Sequence, residues 1–133
     1  TKRGHLARAT LEGIVFSVRD FMDAMSTVSG HPITRIAVDG GASRNDLLLQ
    51  FQADQLDAEV VRPRNTEATS LGAALLAGLA TGVWANAAEA LATQEIEASF
   101  TPAVSADTRA AQYRTWKRAV ERSRGWLRDA GEE

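Results

Sequence analysis

A chain of 133 residues with 44% hydrophobic and 24% charged side chains has the composition of one ordinary globular domain. Its formal net charge of −2 gives no global attraction to nucleic acid or to an anionic membrane, and neither is expected as a partner. Without cysteine there is no disulfide framework and no thiolate chemistry, and His5 and His31 lie far apart with no companions at metal-ligand spacing.

The sequence opens on "TKRGHLARATLEG", without an initiator Met and directly in a helical pattern, which reads as a piece of a longer protein. From Leu11 the apolar residues Ile14, Val15, Val18, Phe21, Met22 and Met25 recur at three- and four-residue spacing. That spacing predicts an amphipathic helix from about Arg3 to about Val28, with His5 as a partly exposed structural histidine near its start. Gly30 is a natural C-cap and Pro32 turns His31 away from helical geometry, so the helix should stop there.

"ITRIAV", residues 33–38, is rich in β-branched residues and bounded by Pro32 and Asp39-Gly40-Gly41, so it reads as a short buried strand. "DG" could turn a hairpin, but Ser43 followed by Asp46 makes a capping-box-like start, and "LLLQFQADQL", residues 47–56, continues as helix. The predicted unit is strand, glycine turn, helix. "EVVR", residues 59–62, is a second short strand stopped by Pro63.

The helical "LGAALLAGLATGVW", residues 71–84, is nearly bare of large side chains along much of its surface. Glycine inside a helix costs about 1 kcal/mol relative to alanine, so Gly72 and Gly78 suggest a packing need, such as close seating on a sheet. A short helix over residues 85–94 and an extended connector over 95–107, around Pro102, lead to a final helix from about Asp107. That helix carries Tyr113, Trp116, Val120 and Leu127 on one face. Its Arg114, Lys117, Arg118, Arg122 and Arg124 read as a solvated basic face, offset by Glu121 and Asp129.

No catalytic constellation is complete in this chain: there is no "GxSxG", no Walker-type loop and no histidine with a triad partner by motif. The exception is "VDGGASRN", residues 38–45. In open α/β sheets ligands bind beyond the carboxyl ends of strands, where helix N-termini present free N–H groups. Gly40 and Gly41 leave room for a base or ribose against the main chain, and Asn45 offers both a donor and an acceptor. As residue chemistry this remains either a tight structural turn or a ligand loop. Asp39, a strand-end carboxylate, could hold Mg²⁺, act as a base or simply cap the turn.

Three stretches together carry a resemblance covering nearly the whole chain. "RIAVDGGASRNDLLLQFQADQLDAEVVRPRNTEATSLGAALLAGLATGVW", "HLARATLEGIVFSVRD" and "SFTPAVSADTRAAQYRTWKRAVERSRGW" resemble the C-terminal domain of the carbohydrate kinases named after their Phe-Gly-Gly-Tyr (FGGY) motif, in the branch that phosphorylates glycerol. The resemblance implies an α/β fold, a portion of an actin-like, ribonuclease-H-like ATPase domain with a mixed sheet flanked by helices. Residues 1–133 would form a single partial domain with a C-terminal helical tail at about 107–130, facing a second domain across a cleft that holds ATP.

The family's "GGAxxN" turn contributes to the adenosine side of that site, which carries onto Gly40, Gly41, Ala42 and Asn45. Gly41 would act through its backbone and Asn45 through its side chain near the adenine. The implied reaction is transfer of the ATP γ-phosphoryl group to glycerol, with Mg²⁺. The catalytic aspartate, the glycerol pocket, the first phosphate loops and the metal acids precede this segment in the family. This chain is therefore expected to hold no catalytic residue and no metal ligand, Asp39 included. It should also expose a sheet edge and be inactive alone, within a cytoplasmic parent that is a homo-oligomer. A xylulose or gluconate kinase of the same family, and a non-catalytic actin-like module, are the alternatives.

Overall fold

The computed structural model describes residues 1–125. Trp126, Leu127 and Asp129, and the end of the expected tail, lie outside the described residues. The long amphipathic pattern forms α1 (Arg3–Ser29), ended as expected by Gly30, which takes a left-handed φ of 70° and donates its N–H to the Ser26 carbonyl at 3.0 Å. Then follow β1 (Arg35–Ala37), a 3₁₀ turn (Gly41–Arg44), α2 (Asp46–Leu56) and β2 (Glu59–Pro63). The chain continues through α3 (Ala68–Ala80), α4 (Ala87–Ala92), β3 (Ile96–Phe100) and α5 (Ala106–Ser123).

β1 and β2 run parallel, with Ile36 opposite Val60, and α2 is the crossover between them. The expected 95–107 connector holds a strand in its first half: β3 pairs antiparallel with β2, Phe100 opposite Val60 and Ala98 opposite Arg62. Its signal was the period-two pattern Ile96, Ala98, Phe100, masked by Pro102 two residues on. The sheet order is β1-β2-β3, a small mixed sheet, and among the described residues nothing pairs with the outer edge of β1.

The core lies around α2, in which seven of eleven residues are buried. Leu48 and Phe51 pack on Val15 and Phe16 of α1, while Leu49 and Ala53 meet Val60 of β2. Phe16 meets Phe51 edge-on and stacks on Trp116 of α5, both at 5.5 Å between centroids. Each such pair adds about 0.5–1.5 kcal/mol beyond area burial. The apolar band of α1 is wider than the face these elements cover: Val15 and Phe16 are buried, whereas Ile14, Phe21 and Met25 remain exposed.

The small-residue helix is not seated on the sheet. α3 packs mainly against α4, and the reason for Gly78 is local, because a Cβ there would overlap the Trp84 ring. No helix of the described residues is long and apolar enough to cross a membrane.

A polar clamp ties α5 to α1. The Asp20 carboxylate accepts from Tyr113 Oη, from Trp116 Nε1 at 2.9 Å and from Lys117 Nζ at 3.2 Å. The Arg19 guanidinium lies 3.8 Å from the centre of the Tyr113 ring. Burial alone would raise the Asp20 pKa, but the three donors together hold it below the ordinary carboxylate value. Burial, and then Asp20 itself, push the Tyr113 phenol above its usual value.

A lowered carboxylate pKa adds stability that is lost as pH falls through the folded-state value, and a raised phenol pKa adds stability that is lost as pH rises through its own. The clamp should therefore be strongest between the carboxylate and tyrosine ranges. In urea titrations across pH, Asp20→Asn should cost about 1–2 kcal/mol at neutrality, the scale of lost charge-assisted hydrogen bonds that water partly replaces. It should also flatten the acid limb of the profile; an unchanged acid limb would remove Asp20 from this role.

Candidate functional site

The segment 38–45 leaves the carboxyl end of β1, crosses the top of the sheet and enters α2. Val38 still donates its N–H to the Val61 carbonyl at 3.0 Å, extending the parallel ladder. Gly40 then adopts φ 73° and ψ 179°, a combination essentially restricted to glycine, and its N–H donates to the Thr66 carbonyl at 2.9 Å. Buried Ser43 locks the turn from beneath, its Oγ donating to the Gly40 carbonyl at 2.6 Å and its N–H to the same oxygen at 3.2 Å.

The helix cap is Asn45, not Ser43: the Asn45 Oδ1 accepts from the Leu48 N–H at 3.1 Å. That bond uses one lone pair of the side-chain oxygen and leaves the amide N–H₂ available as a donor. Gly40, Gly41, Ala42 and Asn45 thus sit on one turn. Gly41 and Ala42 are exposed, and no hydrogen bond within the described residues uses their N–H groups.

The two glycines differ in what requires them. Gly40 is required by its backbone angles. Gly41 has no positive φ, and a Cβ built on it meets nothing within 4 Å, so neither conformation nor packing within the described residues explains it. A residue that the fold leaves free to carry a side chain, yet which has none, fits a surface that another molecule approaches closely.

Beside the turn, at the carboxyl ends of β1 and β2, lies a cleft of about 410 Å³ lined by Val38, Asp39, Pro63, Asn65, Leu71 and Gly72 among others. Asp39 is exposed at its rim. Elsewhere, His5 accepts through Nδ1 from the Lys2 N–H at 3.2 Å, a helix-start contact in keeping with its structural reading, and His31 is exposed.

Sequence reasoning missed Arg62. Its guanidinium reaches under the turn, Nη1 donating to the Ser43 carbonyl at 2.9 Å and to Asp46 Oδ1 at 2.7 Å, with Glu97 at 3.5 Å from Nη2. The signal was a charge inside "VVRP", since a buried cation needs partners and none is local.

A parallel strand pair joined by a glycine turn and a crossover helix, with a cleft at its carboxyl end, defines an open-sheet α/β domain. Residues 1–81 match the FGGY family of carbohydrate kinases, C-terminal domain, and the chain belongs to that family. It is 51% identical over 130 residues to glycerol kinase of Bordetella parapertussis, an alignment covering 98% of this chain and 26% of that protein. Among solved structures it superimposes with a TM-score of 0.85 and 31% identity on Plasmodium falciparum glycerol kinase with ADP, over 96% of this chain and 26% of the other.

A xylulose kinase from Rhodospirillum rubrum matches with a TM-score of 0.75 and 25% identity, over 91% of this chain and 25% of the other. The chain thus spans about a quarter of the length of these relatives, and its fold is the actin-like C-terminal domain of such sugar kinases.

Replacing Gly40 with alanine should cost about 1–3 kcal/mol, the scale of strain for a side chain forced into that backbone region. Gly41→Ala should be neutral, or stabilising by up to about 1 kcal/mol through the unfolded chain. Urea unfolding of the two variants separates them; equal losses would show that both glycines serve the fold.

Proposed function

We propose that this chain is the nucleotide-side part of a glycerol kinase, in which ATP phosphorylates glycerol to glycerol 3-phosphate. The observation that carries this reading is the 51% identity, across 98% of the chain, to a glycerol kinase. The likeness to the xylulose kinase is lower in both identity and superposition, which favours glycerol over a larger sugar.

Within that reading, Gly40, Gly41, Ala42 and Asn45 hold the adenosine end of ATP. Gly40 shapes the turn, Gly41 and Ala42 offer backbone N–H groups to a ligand at van der Waals approach, and Asn45 donates from its side-chain amide towards the base. The Oδ1 of Asn45 is engaged in the α2 cap while its N–H₂ is unused, so acceptors on the base suit it best. This supports a positioning role: the turn fixes the non-reacting end of ATP while the γ-phosphorus meets the glycerol hydroxyl elsewhere in the cleft.

In the transfer itself, the glycerol oxygen attacks the γ-phosphorus in line, its proton passes to a carboxylate, and ADP leaves. We place that carboxylate, the glycerol pocket and the triphosphate loops in sequence outside this chain. We place the ligands of the Mg²⁺ that such a transfer uses outside this chain as well.

The test is phosphotransfer by the full-length kinase carrying this sequence, supplied with ATP and glycerol, xylulose or gluconate in turn. Glycerol should give the highest kcat/KM, and the 133-residue chain alone should release no ADP in response to glycerol. Preference for a sugar would move the reading to another kinase of the family. ATP hydrolysis indifferent to all three would favour a non-catalytic module, and turnover by the isolated chain would overturn the division of the site.

A further inference from the structure

We propose that Arg62 is the positioning residue of the nucleotide turn, setting affinity for ATP through Ser43 and Asp46 without touching the nucleotide. The inference rests on the reading of that turn as the adenosine contact, and deepens it.

Arg62 lies at the end of β2 and is only 9% exposed. One nitrogen, Nη1, holds two points of the unit above it: the Ser43 carbonyl in the middle of the 3₁₀ turn and the Asp46 carboxylate in the first turn of α2. Ser43 in turn grips the Gly40 carbonyl through both its Oγ and its N–H. A chain of hydrogen bonds therefore runs from the sheet through Arg62 and Ser43 to Gly40, while Asp46 fixes where α2 begins. Gly41 and Ala42 are spanned by these anchors and belong to neither.

The sheet gives no reason for an arginine at this place. Val60, Val61 and Pro63, its neighbours on β2, are buried, and removing the cation would strand no buried charge, because its carboxylate partners Asp46 and Glu97 are exposed to water. The guanidinium carries a further cost, because its Nε is buried with no hydrogen-bond partner. What a cation with several N–H donors supplies is a simultaneous hold on a backbone carbonyl and a carboxylate through Nη1, with Nη2 left to face Glu97. The hydrogen bond to Asp46 raises the Arg62 pKa against the opposing effect of burial, and Glu97 adds to it, so the charge is retained. The Phe100 ring, its centre 5.8 Å away, bounds the same pocket.

The experiment compares Arg62→Met, Arg62→Lys and Asp46→Asn in the full-length kinase, measuring KM for ATP, KM for glycerol, kcat, ADP binding by calorimetry and the unfolding midpoint. Arg62→Met should raise KM for ATP and Kd for ADP about tenfold, the scale of losing one buried charge-assisted contact. Its kcat and KM for glycerol should stay within about twofold, and its unfolding midpoint close to that of the parent. Arg62→Lys should recover part of the affinity, since its ammonium has donors for both acceptors but sits on a flexible stem and lacks a second nitrogen for Glu97. Asp46→Asn should weaken ADP binding less, and adding it to Arg62→Met should cost nothing more.

Unchanged ADP affinity in Arg62→Met overturns the inference, as does a fall in stability with all kinetic constants worsening together, the mark of a merely structural arginine. Should Arg62→Met fail to fold, Asp46→Asn decides alone: its side chain is 70% exposed, and unchanged ADP affinity there is equally fatal. Gly41→Val separates this inference from the reading beneath it. If Gly41→Val weakens ADP binding while the Arg62 variants do not, only the role of Arg62 falls; if neither does, the adenosine contact falls with it.

Discussion

The packing of α1, α5, the sheet and the glycine turn is referred to α2, a helix that is buried on more than one side and so has one place to sit. Leu48 and Phe51 face α1, and Leu49 and Ala53 face the sheet. Two further buried positions are polar and matched: Gln55 accepts from Arg19 and donates to Gln112, while Asp54 accepts from Gln50 and from the Ala103 N–H. Rotating or sliding such a helix would expose apolar surface on one side and strand buried polar groups on another, both costly at interior packing density. A helix fixed along its length has a fixed beginning, and that beginning is the glycine turn.

Fixing the helix does not by itself fix the turn. Four residues of 3₁₀ geometry, three of them exposed, would be soft if held only at their ends. The bonds beneath the turn, Arg62 to Ser43 and Ser43 to Gly40, join it to the centre of the sheet, and the Gly40 N–H joins it to the segment after β2. The result is a rigid underside and an upper face with amides to spare. This is preorganisation: a ligand meeting those amides need not order the backbone that carries them.

The sequence made the repeating parts readable and left the long-range ones hidden. The apolar spacing from Leu11 to Met25, the left-handed cap at Gly30 and the strand–turn–helix unit around Gly40 depend on residues close in the chain, and each element formed where local pattern placed it, although β1 is largely exposed where a buried strand was expected. β3 was read as a connector because its identity lies in its partner, β2, and five residues beside a proline carry little pattern of their own. The small residues of α3 suggested a sheet contact, whereas Gly78 answers to Trp84, six residues further along the chain. Gly40, Gly41, Ala42 and Asn45 are assigned to an adenosine contact through family resemblance, since a glycine pair alone cannot distinguish a tight turn from a ligand loop. Arg62 was not found at all, because its meaning lies in atoms contributed by residues 43 and 46.

The central claim is that the exposed amides of this turn meet ATP's adenosine end. Residue-resolved amide hydrogen exchange in the full-length kinase, with and without saturating ADP, measures that directly. Exchange at Gly41 and Ala42 should slow on ADP addition, while amides in the middle of α5, which lies against α1 and α2 away from the turn, keep their free rates. Unchanged exchange across residues 40–45 in a protein shown to bind ADP would contradict the account.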